Sequence, residues 1–409
     1  MKNNSENHHF TVVIPTRERC DTLEHSLRTC VIQDYDNLDI LVSDNFSSDK
    51  TRDVVESFVD NRIRYLNPGK RLSMSHNWEY ALSHVTGGWV TILGDDDGIL
   101  PGSLQHVSEI IKETGVDAVR SNGCVYCWPS LLNKPYGRLS VSLRKGYEIR
   151  NSRKWLAKVM AGSTSYTSLP MLYNGGFVNS DLVKRSKEKT KQFYLSMTPD
   201  VYSAIAFSHL TENYAYSYEP LAISGASKHS IGTSAFAGND FKREEMSPAK
   251  MFLSEPNIPF HKDLLVLPDG SPPLSFQASV YESYLQALSL APDSDSNANH
   301  KKQLEIIIRT AGRHRDNVNK WAEAFCDLHR LDLKEILSKA TRVAPIDGLK
   351  KLLARVHSHM NCISVGSPDL PVINVYEASI VAATIKHVRP SVLINIHRCI
   401  LEKIQANKS

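Results

Sequence analysis

The chain has 409 residues, a formal net charge of +4 and ordinary shares of apolar and charged side chains, which is room for two or three domains with a core each. So small a charge argues against a general nucleic-acid binder, and no segment has the length and purity of a membrane span. Seven cysteines without a disulfide framework fit a reducing cytosol, and the polar stretch from Met1 to His9 is unlike a secretory signal, so a cytoplasmic protein is expected.

Strand and helix signals alternate from the start. Residues 10–15 read as a strand, 20–32 as an amphipathic helix and 38–43 as a second strand. Ser47 or Ser48 is placed to cap a helix running to about Val59, with Asp49 in its first turn. A short strand at 63–66, a helix at 74–85, a strand at 89–93, a helix at 103–112 and a strand at 117–126 follow. This alternation predicts a mostly parallel sheet covered on both faces, with ligands at the carboxyl ends of its strands. The pattern blurs from Trp128 to Ser168. Thr198-Pro199-Asp200 then opens a helix through about His209, with Thr198 as cap and Pro199 in the first turn. Past a boundary near Gly238 helical patterns dominate, as in Val280-Tyr284-Leu288, Leu304-Ile308 and Leu349-Leu353. An α/β domain over 1–238 and a mainly helical one over 239–409 are therefore expected. From Lys301 to Arg355 thirteen Lys and Arg face seven Asp and Glu; a solvated helical face or a surface for anionic lipid headgroups would both produce this.

Three polar clusters fall at strand ends: Pro15-Thr16-Arg17, Asp44-Asn45 and Asp95-Asp96-Asp97. Three adjacent acids repel one another unless a cation or a set of donors offsets them. Hard oxygen ligands at a strand's end suit Mg²⁺ or Mn²⁺, which bridge to substrate phosphates. An acidic turn leading into the next helix is the plainer alternative. The turn after the first strand has no glycine, against a dinucleotide fingerprint, and there is no Walker lysine loop, no H-E-x-x-H and no G-x-S-x-G. Cys124 and Cys127 have metal-ligand spacing without a second pair, and strand alternation accounts for them. His357-Ser358-His359 reads as surface. Asp44 suits either a turn with Asn45 or a contact to a base or ribose. Asp200 suits a helix N-terminus, where the dipole should keep it ionised near neutral pH, and equally a proton-accepting role. His229, in the small-residue loop 225–230, is either exposed or joins the aspartates around a metal.

Taken together, Val12-Val13-Ile14-Pro15-Thr16-Arg17-Glu18-Arg19, Leu41-Val42-Ser43-Asp44-Asn45-Phe46-Ser47-Ser48-Asp49, Asn77-Trp78, Ala81-Leu82 and Gly94-Asp95-Asp96-Asp97-Gly98 with Leu100-Pro101-Gly102-Ser103-Leu104 resemble a family 2 glycosyltransferase of the GT-A fold, of the bacterial surface-polysaccharide type. The resemblance runs from about Phe10 to Leu104, weakens through Ser230 and is absent beyond Gly238. It implies an α/β, GT-A type, mostly parallel sheet flanked by helices. It also implies a nucleotide-sugar donor, usually UDP-linked, a divalent Mn²⁺ or Mg²⁺, and inversion at the anomeric carbon. Pro15, Thr16, Arg17 and Glu18 would surround the nucleotide, Asp44 would meet the base, and Asn77, Asp95 and Asp96 would complete the donor site. Asp97, as the last acid of the D-x-D element, would ligate the metal with His229, and Asp200 would be the catalytic base. Many relatives carry Asp where Gly94 stands, which shifts the register and leaves the roles of the three acids open. The implied acceptor is a saccharide or lipid-linked saccharide, with peripheral contact at the inner face of the cell membrane and oligomerisation both compatible. A sugar-phosphate nucleotidyltransferase and a non-catalytic assembly subunit are the competing classes.

Overall fold

The computed structural model describes residues 7–121, 123–231, 248–267, 270–292, 298–340 and 362–387. The expected boundary at Gly238, the Leu349-Leu353 pattern and His357-Ser358-His359 lie outside the described residues. In chain order the elements begin β1 Phe10–Thr16, α1 Cys20–Val31, β2 Leu38–Asp44, α2 Thr51–Glu56, β3 Ile63–Leu66 and α3 Met74–Leu82. Next come β4 Trp89–Ile92, β5 Gly98–Ile99, α4 Ser103–Thr114, β6 Ala118–Ser121, β7 Cys124–Cys127, α5 Pro129–Leu132, β8 Arg138–Ser142 and β9 Tyr147–Asn151. They continue with α6 Ser152–Met160, β10 Gly176–Asn179, α7 Ser180–Thr190, α8 Pro199–Leu210, β11 Asn213–Ser217 and β12 Ala222–Ala226. The later part is mainly helical: α9 Pro248–Leu253, α10 Phe276–Ala287, α11 His300–Thr310, α12 Arg315–His329 and α13 Leu333–Ala340, then β13 Cys362–Val365 and α14 Val375–His387.

The large sheet runs β3-β2-β1-β4-β10-β6-β11-β9. Its first four strands are parallel, in register Thr16↔Asp44 and Val13↔Ile92, so the ends of β1, β2 and β4 open on one edge. Side chains alternate along β1: Val13 joins Trp78, Val90, Tyr202 and Phe207 on one face, while Val12 and Ile14 join Leu23, Leu27 and Val107 of α1 and α4 on the other. Burial on both faces explains why these strands read as unbroken apolar runs. Beyond β4 the sheet becomes mixed, with β10 antiparallel to both neighbours.

Several expectations are corrected. The strand expected over 117–126 is two strands in different sheets, because β7 leaves the large sheet to pair with β12 and β8 in a second sheet ordered β13-β8-β7-β12-β5. Neither Ser47 nor Ser48 caps α2; Asp49 Oδ1 accepts from Thr51 N at 3.0 Å, in a short helix that ends at Glu56. Thr198 makes no side-chain cap on α8, its hydroxyl lying instead 3.2 Å from that of Ser283. The helical region also shares the core of the α/β part, since Tyr281, Leu285, Leu304 and Trp321 belong to the cluster that holds Val13 and Phe207. Two later segments return to the second sheet: β13 pairs with β8, and Val375, Ala378 and Val381 of α14 pack on Tyr126 and Val141.

Candidate functional site

The acid run closes β4 with a tight turn in which Asp97 N donates to Gly94 O at 3.0 Å. Asp95, Asp96 and Asp97 are all buried, a costly placement for carboxylates unless donors surround them. They do. Asp97 Oδ2 accepts from Gly94 N at 3.0 Å and from the Tyr173 hydroxyl at 2.7 Å, while Oδ1 accepts from Gly225 N at 2.7 Å. Asp96 Oδ2 accepts from the hydroxyls of Ser227 at 2.7 Å and Ser230 at 2.8 Å, and its carbonyl accepts from Trp128 Nε1. Asp95 Oδ1 faces Arg19 Nη1 at 2.9 Å. Burial and the neighbouring Asp96 push the Asp97 carboxyl up to about 8. Asp95 is also raised by burial, although Arg19 opposes the shift. Against its own burial, Asp95 and Asp96 hold the Arg19 guanidinium above its ordinary value.

Two glycines make this turn possible. A Cβ on Gly94 would lie 2.5 Å from Asp97 Oδ2 and 2.8 Å from the Tyr173 hydroxyl. One on Gly225 would run into the Asp96 carbonyl oxygen at 1.7 Å. The space beside Gly94 is thus filled by the returning Asp97 carboxylate. Asp97, expected as the metal ligand, accepts protein donors on both oxygens, whereas Asp96 takes both serines on Oδ2 and has no donor to Oδ1 among the described residues.

The other expected residues divide into two sets. Asp44, buried at the end of β2, accepts from Ser47 N at 3.0 Å and from the Tyr65 hydroxyl at 2.6 Å, so it holds its own turn while standing on the shared edge. Pro15 and Thr16 lie buried in β1 beside Ser43 and Asp44. Arg17 pairs with Glu255, whose Oε2 accepts from Met74 N at the start of α3 at 2.7 Å. Burial lowers the Arg17 guanidinium and raises the Glu255 carboxyl. Three further expected residues engage neighbouring segments of the chain. Glu18, at φ 53°, clasps the second loop through Ser48 N at 2.9 Å and Asp49 N at 3.1 Å. Asn77 is buried against β2, accepting from the Ser43 hydroxyl at 3.1 Å. The His229 ring faces Asp21 of α1 at 3.1 Å, and that contact helps to hold the Asp21 carboxyl down at about 2. Its backbone carbonyl, accepting from Arg19 Nη2 at 2.7 Å, is what reaches the site.

Asp200 sits in the first turn of α8, partly buried, with Oδ2 accepting from the Tyr166 hydroxyl at 2.7 Å. Its carboxyl is raised by burial, against the lowering effect of the Tyr166 hydroxyl, the Val201 and Asp200 amides and Arg120. A raised carboxyl is the better proton acceptor. Arg120, Tyr166, Tyr173, Ser227 and Ser230 carry no motif and came to the site only through the fold.

Among the described residues no group of three or more His, Cys, Asp and Glu could by itself hold a metal ion. The donors present nevertheless suit a hard divalent cation: adjacent buried carboxylates, with one oxygen of Asp96 having no protein donor among the described residues. Mg²⁺-type sites commonly use one or two carboxylates, with substrate phosphates completing the shell.

The family described as Glycosyl transferase family 2 matches residues 11–173. A Campylobacter jejuni protein named GalNAc(5)-diNAcBac-PP-undecaprenol beta-1,3-glucosyltransferase is 36% identical over 107 residues, which is 25% of this chain and 35% of that protein. The Escherichia coli UDP-Glc:alpha-D-GlcNAc-diphosphoundecaprenol beta-1,3-glucosyltransferase WfgD is 28% identical over 103 residues, 25% of this chain and 41% of that protein. This chain therefore spans well under half the length of these curated relatives. The solved structure of S. aureus TarS 1-349 in complex with UDP-GlcNAc aligns over 78% of this chain and 92% of that chain, at 13% identity and a TM-score of 0.45. Matched motifs, parallel strand order and the acid edge agree: over residues 11–173 this chain is similar to glycosyl transferase family 2.

Proposed function

We propose that the chain is an inverting glycosyltransferase that moves a sugar from a nucleotide-sugar donor, UDP-linked, to an acceptor hydroxyl. The carrying observation is the gathering of Asp44, Asp95, Asp96 and Asp97 at the carboxyl ends of β2 and β4, with Arg19 between the acid run and the first loop. Asp44 and the Pro15-Thr16 end of β1 would receive the nucleoside. Asp95 and Asp96 would meet the donor's ribose or sugar hydroxyls and a Mn²⁺ or Mg²⁺ ion, Asp96 through Oδ1. Bound there, such an ion would stabilise the negative charge that builds on the departing diphosphate. Asp200 would take the proton of the attacking hydroxyl as the new bond forms at the anomeric carbon and the bond to the diphosphate oxygen breaks. The leaving nucleoside diphosphate carries away the electron pair, so the balance needs no further reactant.

Lipid-linked acceptors in the names of the two glucosyltransferase relatives support an acceptor of that kind, at a membrane surface reached peripherally. No helix among the described residues is long and apolar enough to cross a membrane. The purified chain, incubated with a panel of UDP- and GDP-sugars and Mn²⁺, should bind one donor and hydrolyse it slowly, with EDTA abolishing turnover. Pyrophosphate-dependent exchange would assign it to the nucleotidyltransferases instead, and neither binding nor turnover with any donor would leave an assembly role.

A further inference from the structure

Arg120 on β6 is a buried cation whose hydrogen bonds go to backbone carbonyls. Its Nε donates to Thr167 O at 2.9 Å, and its Nη1 to Asn174 O at 2.6 Å and Tyr173 O at 3.4 Å. Those carbonyls belong to the two short segments that carry Tyr166 and Tyr173. The Tyr166 hydroxyl reaches Asp200 Oδ2 and the Tyr173 hydroxyl reaches Asp97 Oδ2, each at 2.7 Å. One guanidinium therefore ties together the two phenols that hold the acceptor-side acid and the donor-side acid turn. The ring of Phe276, at the start of α10, lies against that of Tyr166 with centroids 5.2 Å apart, which restricts the phenol further.

We propose that Tyr166 is a positioning residue for transfer: its hydroxyl holds Asp200 Oδ2, so that Oδ1 meets the acceptor hydroxyl, and Arg120 fixes where Tyr166 stands. This rests on Asp200 being the base. A carboxylate free to turn about its last bond offers either oxygen at varying angles, whereas one pinned through Oδ2 keeps Oδ1 aligned, and alignment is a large part of what a site contributes to rate. The titratable and charged groups that face Asp200 are Arg120, Tyr166, Tyr173 and Tyr194. Burial raises all three phenols well above their ordinary value, so they stay protonated at neutral pH. Of the four, Tyr166 hydrogen-bonds the carboxyl and lowers it, in addition to the Val201 and Asp200 amides of the carboxyl's own helix turn. Losing that phenol therefore moves the carboxyl still higher.

Full-length Tyr166→Phe, which keeps the ring and its packing, tests this with UDP-glucose and Mn²⁺, water serving as acceptor. The expected result is a fall in kcat of about tenfold, the scale of a misaligned base, with KM for UDP-glucose unchanged within about twofold. The acid limb of the pH–rate profile should also move to higher pH. In an Asp200→Asn background the same change should cost nothing more. An unshifted acid limb with wild-type kcat overturns the proposal, as does an equal loss in the Asp200→Asn background. Arg120→Lys is the second variant, should Tyr166→Phe melt early; it keeps the charge, loses the forked donation, and should move the same limb in the same direction. A wild-type chain that neither binds nor hydrolyses any nucleotide sugar overturns the function and this inference together. A wild type that turns over, beside an unaffected Tyr166→Phe, overturns this inference alone.

Discussion

The strand-end edge and the helical region both bury carboxylates, but they do so by different means. At the edge, Asp95, Asp96 and Asp97 are consecutive, and the strand that delivers them fixes where they go. In the helical region, Glu282 of α10 is fully buried among groups from distant segments. It accepts from the Ser196 hydroxyl, from Gln286 Nε2 at 3.0 Å and from His261 N at 2.9 Å. Ser196 in turn lies 2.9 Å from Ser283, beside the start of α8. The first arrangement gathers carboxyls at the ends of parallel strands; the second uses a carboxyl to lock α10 against the segment leading into α8. Within the acid run, an oxygen with no donor among the described residues, as on Asp96, is the criterion that separates a carboxylate open to a ligand from one spent on the fold, as Asp97 is.

The largest expected effect tests that criterion directly. Asp96→Asn should cut turnover by about 10²–10³, the usual worth of one electrostatic contact in a closed site. Asp97→Asn should chiefly lower the melting temperature, because Asp97 already spends both oxygens on the fold. Equal losses of turnover at folded, equally stable variants would erase the distinction between the two acids.

The second effect concerns Glu282, whose carboxyl burial pushes up to about 7 from an ordinary 4.5. The unfolded chain gives up this proton first, so the group's contribution to stability is full below about pH 4.5 and is lost as pH rises through about 7. That amounts to at most about 3 kcal/mol. Urea unfolding between pH 4.5 and 8 should show this decline in the wild type and a flatter profile in Glu282→Gln. A parallel pair of profiles would count against the assignment.

Smaller again, Asp44→Ala should weaken nucleotide binding by about 1–3 kcal/mol, the cost of leaving buried donors unpaired. It should destabilise the fold as well, since the Ser47 amide and the Tyr65 hydroxyl lose their acceptor. Titration calorimetry with UDP on a folded variant checks the first part; unchanged affinity would confine Asp44 to its turn. The smallest effect is expected for His229→Ala. Its ring pairs with the half-exposed Asp21, a solvent-screened contact worth about 0–1 kcal/mol, and Mn²⁺ dependence should survive. A lost metal requirement would return the imidazole to the metal.

How much of this could be read from the chain follows the same division. The strands β1, β2 and β4, the helices between them and the acids at their ends were legible because local spacing dictates them. Residues Glu18 and Asn77 were legible as parts of the motif but not in the protein contacts they make, since nothing local pairs Glu18 with the Ser48 amide or Asn77 with the Ser43 hydroxyl. Nothing in the sequence pairs Arg120 with Thr167, or Ser227 with Asp96, because those bonds arise from chain reversals between sheets. The break between β6 and β7 was hidden for a related reason: both halves are apolar strands, and only their partners differ.

The return of β13 and α14 to the second sheet has a consequence for how the molecule is assembled in time. Val141 and Ser142 of β8 wait for Ile363 and Cys362, more than two hundred residues further along. The Tyr126 hydroxyl likewise finds its acceptor, Val372 O, only in that late segment. Contacts of such separation close slowly, and a chain emerging at about 5–20 residues per second leaves the edge of β8 and the ring of Tyr126 uncovered for tens of seconds. The interval between synthesis and completion, rather than the finished fold, is where this protein is most exposed to mispairing and to the helpers that prevent it.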